Sequence, residues 1–170
     1  MEESKIIQNL KKICKTISYK EDKELIKKYS ADWRGRYFKN ALGVVFPNST
    51  KEVSKIIKYS NKNNIKIIPQ GGNTGLVGGT SPTQNKKEII INFEKMNQII
   101  EIDKDNRCVE VEAGAIIDNV ISATNKKNYL FPLKMSSTGS SQVGGVVATN
   151  AGGINVVKHG SIRKNILALE

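Results

Sequence analysis

Residues 67–82 read IIPQGGNTGLVGGTSP and constrain the fold more than any other stretch. Two β-branched residues, Ile67 and Ile68, run into Pro69, and Gly71, Gly72, Gly75, Gly78 and Gly79 follow closely. Such a run cannot continue a helix or a regular strand. Glycine accepts positive φ and lets a ligand approach the backbone, and successive unhindered N–H groups can form an anion-binding nest. No acid lies between Ile65 and Lys87 to repel a phosphate. The stretch is therefore expected to be a phosphate-cradling loop at the end of a strand, although glycine alone leaves a flexible loop equally open.

What precedes the loop supports the first reading. Residues 43–47 (GVVFP) form a short apolar run closed by proline, a strand candidate. Ser49, Thr50, Lys51 and Glu52 have the capping-box form. Val53, Ile56, Ile57 and Tyr59 then give one apolar face, so a helix is expected over about 50–63, stopped by Asn63 and Asn64. Residues 65–69 are the next strand. A β-α-β unit implies parallel strands, and ligands of open α/β sheets sit at the carboxyl ends of such strands. Upstream, the spacing predicts helices over 4–18, with Ser4 as N-cap, and over about 22–29. Residues 32–41 (DWRGRYFKNA) break the periodicity and read as an irregular segment with Trp33 in a packing role.

After the loop, strands are expected over 88–93, 99–103 and 108–112, the last two joined by a hairpin turn at 104–107. Asp103, Glu110 and Glu112 alternate with apolar neighbours, as in a half-exposed antiparallel strand. Residues 115–127 read as an amphipathic helix stopped at Asn128, and 166–169 as a strand. Parallel β-α-β first and antiparallel strands with helices second make two α+β subdomains.

The chain has 170 residues and a net charge of +11. The lysines (Lys11, Lys12, Lys27, Lys28, Lys86, Lys87, Lys126 and Lys127) are dispersed, and no aromatic residues are interleaved with them as stacking platforms. They read as solvated surface rather than a nucleic-acid footprint. Two widely separated cysteines, Cys14 and Cys108, give neither a disulfide framework nor a metal pattern, which makes a reducing, cytoplasmic setting the expectation. No apolar run reaches membrane-spanning length, and the N-terminus lacks a signal peptide's apolar core.

A second glycine-rich stretch, residues 131–160, reads FPLKMSSTGSSQVGGVVATNAGGINVVKHG. Its small and hydroxyl-bearing residues can present donors to a flat polar ligand, with Val143, Val146 and Val147 packing behind. Two such stretches on two subdomains could enclose one large phosphate-bearing cofactor.

Residues 69–79 (PQGGNTGLVGG), 92–103 (NFEKMNQIIEID), 111–115 (VEAGA) and 131–153 (FPL…TGSSQVGGVVATNAGG) occur in this order and spacing in one family. From about Asp32 onward the chain resembles the N-terminal part of FAD-dependent D-2-hydroxyacid dehydrogenases. These are the D-2-hydroxyglutarate, D-lactate and glycolate-oxidase-subunit type, within the vanillyl-alcohol oxidase superfamily. The resemblance implies a PCMH-type FAD-binding fold: a small parallel β-α-β subdomain and a larger antiparallel sheet with helices, FAD lying between them. Residues 1–40 would be a helical extension and 41–170 the FAD-binding domain.

Carried over by position, Gly71, Gly72, Asn73, Thr74, Gly75 and Leu76 would hold the FAD pyrophosphate, and Gly79 and Thr80 would continue that wall. Pro132, Gly139, Ser140, Ser141, Gly144 and Gly145 would line the adenosine and flavin faces. Thr149, Asn150, Gly152 and Gly153 would approach the flavin and ribityl region. Some superfamily members attach FAD through a histidine in the pyrophosphate loop. Here that loop has Asn73, so noncovalent FAD is expected. The single histidine, His159, stands where the family commonly has tyrosine and reads as a loop residue before Gly160. Ser141 replaces a frequent Cys or Ala, and Lys134 has no account.

The family's FAD domain continues with a further hairpin and a substrate-capping domain that supplies metal ligands and substrate contacts. The chain is thus expected to be truncated at its C-terminus, with no catalytic residue or metal ligand of its own, and to meet a 2-hydroxy acid only with a further domain or second chain. Alternatives from other classes are a non-catalytic FAD-binding remnant or one half of a split enzyme, and a basic nucleic-acid-binding domain.

Overall fold

The computed structural model describes residues 2–19, 22–37, 39–83 and 87–170. Two compact units divide the chain at residues 96 and 97.

The first unit is built on a four-stranded sheet. Its elements are α1 (Glu2–Ile13), β1 (Ile17–Tyr19), α2 (Lys23–Ser30), β2 (Gly43–Val45), α3 (Thr50–Lys62), β3 (Lys66–Gln70) and β4 (Glu88–Asn92). The strand order is β1-β2-β4-β3. β4 pairs in parallel with both β2 and β3, and β1 closes the other edge antiparallel to β2. Alternation along the strands sorts side chains to two faces. Val45, Ile89 and Ile91 face Ile6, Ile7 and Leu10 of α1 and Ile56 of α3. Val44 and Ile90 face Ile26 and Tyr29 of α2, with Phe46. Full burial of an aliphatic side chain contributes about 1.5–3 kcal/mol. With Ile89, Ile90 and Ile91 at 0, 0 and 1% exposure, β4 is the sheet's anchor.

The Ser49 signal behaves as its chemistry requires, whereas Ser4, expected as an N-cap, lies inside α1, which begins at Glu2. Ser49 Oγ accepts from the Glu52 amide at 3.3 Å, and Glu52 Oε2 accepts from the Asn48 amide at 3.0 Å. This is the capping box, reaching back one residue beyond the cap. Asn64, at φ 53°, ends α3 in the left-handed region that asparagine tolerates.

Three element expectations change. The first helix ends at Ile13 rather than 18, and its tail becomes β1. Ile17 fits the helical spacing, yet pairing with Val45 gives its backbone a ladder. Residues 88–92, read as part of the antiparallel half, form the central parallel strand instead. Three apolar positions in a row suit a strand buried on both faces, but neighbour order is not written in that pattern. Residues 166–170 form no strand, because no strand pairs with them among the described residues.

The second unit contains the antiparallel hairpin β5 (Ile99–Asp103) and β6 (Cys108–Val111), then α4 (Ile117–Asn125), α5 (Val143–Ala148), α6 (Val156–His159) and a 3-10 turn over Ile162–Asn165. Asp103 organises the hairpin turn by accepting from the Asp105 amide at 2.9 Å and the Asn106 amide at 3.0 Å. The core joins Ile117, Leu133, Val146 and Ile162, flanked by Val143 and Val147. The class is α+β. Among the described residues, no helix is long and apolar enough to cross a membrane. Lys11, Lys12, Lys27, Lys28, Lys126 and Lys127 are exposed, while Lys86 and Phe38 lie outside the described residues.

Candidate functional site

The glycine loop leaves the carboxyl end of β3, and its shape is held by side chains rather than by backbone pairing. Gln70, 1% exposed, donates through Nε2 to the carbonyls of Tyr29 at 2.7 Å and Thr80 at 3.1 Å. It thus ties the residue before the loop to the residue at its far end. Asn92 on β4 donates to Gln70 Oε1 at 3.2 Å. Asn73 sits at φ 53°. Its Nδ2 donates to the Ala31 carbonyl at 2.8 Å, and its Oδ1 accepts from Thr80 Oγ1 at 2.6 Å. Asparagine suits this position twice, because it tolerates the left-handed backbone and its amide bonds both ways.

The backbone donors are left over. Among the described residues, the amides from Gly72 to Thr80, Thr74 aside, donate to no protein acceptor. A Cβ added at Gly75 or Gly79 would meet nothing within 4 Å, so these two glycines border open space. Gly78 differs: at φ +73°, its Cβ would lie 2.7 Å from the Tyr37 ring. A segment with fixed shape, free amides and open space beside its glycines can bind an anion through the main chain.

Tyr37 is itself positioned by Asp32. The Asp32 carboxylate, 4% exposed, accepts from the Tyr37 amide at 2.8 Å and the Arg34 amide at 3.2 Å. Those bonds, the Tyr37 amide foremost, hold its carboxyl below the usual aspartate range while burial opposes them. Trp33 is 67% exposed, which overturns its expected packing role: the turn that buries Asp32 projects its neighbour outward.

In the second unit, the small residues first serve the fold. The N-cap of α4 is Ile116, which has no capping side chain. Its orphan amides are satisfied by the other segment instead: Ile117 N–H donates to the Ser141 carbonyl at 3.0 Å and Asp118 N–H to the Thr138 carbonyl at 3.2 Å. Gly153 lies where a Cβ would stand 1.9 Å from the Lys134 carbonyl oxygen, and Gly144 where it would stand 2.9 Å from the Ala113 Cβ. Both are close-approach glycines. The Thr149 hydroxyl donates back to the Gly145 carbonyl at 2.9 Å, and Asn150, at φ 49°, accepts from the Arg163 amide at 3.2 Å. The Pro132 carbonyl accepts from Asn155 at 3.0 Å, and Ser141 Oγ donates to Ser137 Oγ at 2.9 Å. Gly139, Ser140 and Gly145 are exposed, and Gly145 borders open space. Gly152, also exposed, would bring a Cβ within 2.7 Å of Val156. His159, expected as a loop residue, is instead the last residue of the short helix α6, ahead of Gly160 at φ 75°.

Sequence reasoning missed Gln70, Asn92 and Gln142. Gln142 is 7% exposed, and its side-chain carbonyl oxygen has no partner. The available signal was a polar amide closing an apolar strand in the first two cases and one lodged among small residues in the third.

Comparison with known proteins agrees with this geometry. A family described as an FAD binding domain matches residues 41–170. A mitochondrial D-2-hydroxyglutarate dehydrogenase of Arabidopsis thaliana is 36% identical over 168 residues, covering 99% of this chain and 30% of that protein. A D-2-hydroxyglutarate–pyruvate transhydrogenase of Saccharomyces cerevisiae is 37% identical, covering 86% of this chain and 29% of its own length. The chain thus spans about a third or less of the curated relatives it matches. Among solved structures, an alkyldihydroxyacetonephosphate synthase matches with a TM-score of 0.83 at 22% identity, over 94% of this chain and 31% of that one. A 6-hydroxy-D-nicotine oxidase from Arthrobacter nicotinovorans matches at 0.77 and 20% identity, over 89% and 32%. These two likenesses show the fold. The chain belongs to the FAD binding domain family, and D-2-hydroxyglutarate dehydrogenases are among its relatives.

Proposed function

We propose that the chain is the FAD-binding portion of an oxidoreductase acting on a D-2-hydroxy acid, of the D-2-hydroxyglutarate, D-lactate or glycolate oxidase kind. The observation that carries the cofactor assignment is the loop of residues 71–80, whose side chains fix its shape and whose amides from Gly72 to Thr80, Thr74 aside, donate to no protein acceptor among the described residues. The residues present fit FAD. Free amides and open space at Gly75 and Gly79 suit a pyrophosphate, and the orphaned Gln142 carbonyl offers an acceptor for a ring N–H.

In this reading Gly71, Gly72, Asn73, Thr74, Gly75 and Leu76 hold the pyrophosphate, with Gly79 and Thr80 beside them. Pro132, Gly139, Ser140, Ser141, Gly144 and Gly145 serve the adenosine and flavin faces, and Thr149, Asn150, Gly152 and Gly153 the ribityl region. Attachment is noncovalent: Asn73 occupies the loop position in question, and its amide is already engaged with Ala31 and Thr80. When bound, FAD supplies the redox chemistry by accepting a hydride from the α-carbon of the acid. This chain's residues bind and orient it, and substrate contacts come from a further domain or a second chain. We take 41–170 as the FAD-binding domain and 1–40 as an extension, supported by the start of the family match at residue 41. The free thiols of Cys14 and Cys108 support a reducing, cytoplasmic setting.

The test is a chimera joining this chain to the remaining portion of the Arabidopsis relative. D-2-hydroxyglutarate or D-lactate, but not the L-enantiomers, should bleach its flavin band. A chimera that holds flavin yet is bleached by no D-2-hydroxy acid refutes the substrate class. A chimera without flavin refutes the cofactor role.

A further inference from the structure

The loop held by Asp32 presents two cations that no acid neutralises among the described residues. Arg36 and Lys39 line a cleft of about 490 Å³ together with Tyr37, Gly78, Ser81 and Thr83. That volume falls within the ~300–1,000 Å³ of small-molecule sites. One wall is packed. The Tyr37 ring lies against Gly78, whose positive φ leaves no room for a side chain there. The Ser81 amide donates to the Gly78 carbonyl at 3.1 Å. The nearby acids are sequestered: Asp32 accepts from the amides of Tyr37 and Arg34, and both oxygens of buried Glu88 accept from Thr83. Ser81, which lines the cleft, is 6% exposed, and its enclosed hydroxyl has no partner.

We infer that this cleft binds a small oxyanion, either inorganic phosphate or the phosphate of a small ester, independently of the flavin. A guanidinium matches a phosphate edge with two parallel donors, and Lys39 adds a mobile ammonium. A turn of the Ser81 side chain about its Cα–Cβ bond brings the enclosed hydroxyl to the ligand and completes the hydrogen bond the protein leaves unmade. The net charge of +11 favours anion encounter.

The test is calorimetric titration of the full chain, flavin-loaded and flavin-free, with inorganic phosphate and with glycerol 3-phosphate at constant ionic strength. Saturable one-to-one binding is expected in both states, weakened at least about tenfold by Arg36→Gln and several-fold by Ser81→Ala, with partial retention in Arg36→Lys and unchanged flavin content. Tighter binding of the ester would identify an esterified ligand, and equal binding free phosphate; either upholds the site. Absence of saturable binding overturns it. So does loss of phosphate binding on flavin loading, or loss of flavin in the variants, since the cleft would then belong to the cofactor. Ser81→Ala that raises thermal stability with affinity unchanged also overturns it, marking the hydroxyl as a packing defect.

Discussion

Asn73 does three jobs with one side chain, and its replacements separate them. Asn73→Ala removes the bonds to Ala31 and Thr80 and strains a backbone at φ 53°. Asn73→Gly removes the bonds but relieves the strain. The alanine variant should melt lower than the glycine variant by about 1 kcal/mol, the usual cost of a left-handed residue with a Cβ. Both should bind FAD more weakly than the parent, as read by thermal unfolding and flavin titration. Asp32 carries a pH signature. Its folded carboxyl is depressed by the Tyr37, Arg34 and Arg36 amides. Its contribution is therefore complete above the ordinary aspartate range and lost as pH falls through the lower folded value. Asp32→Asn should be less stable than the parent at neutral pH, with the gap closing as pH drops below that range in urea melts. Part of this was legible in sequence: Asn in a glycine loop and a capping Ser49 announce themselves locally. Gln70 and Asn92 did not, because their partners lie at Tyr29 and Thr80 and across to β4, and no local spacing encodes those distances.

At the level of elements, glycines divide into those the fold needs and those it leaves idle. Gly153→Ala would drive a Cβ into the Lys134 carbonyl, so it should destabilise the second unit by several kcal/mol, about 1–3 being the usual cost of overpacking alone. Gly75→Ala and Gly79→Ala meet no protein atom and should leave the melting temperature of the flavin-free chain unchanged while weakening FAD retention. Circular-dichroism melts with parallel flavin assays distinguish the two classes. Sequence alone could not sort them, since the same residue type marks a close approach, a positive φ and a ligand-facing surface. The elements themselves were more readable. α3 and the β5–β6 hairpin stand where periodicity and turn chemistry put them. β1 and the central place of β4 were hidden, because strand order depends on pairing between distant segments.

For the whole molecule, the family match names FAD, and the loop amides, Thr74 aside, offer an anion site that suits its pyrophosphate. The decisive measurement is addition of FAD to the flavin-free chain, followed by gel filtration and then denaturation. The chain should carry stoichiometric flavin through the column, release it intact on unfolding, and lose it in Gly79→Ala at unchanged stability. A chain that melts cooperatively, and so is folded, yet emerges without flavin would contradict the account.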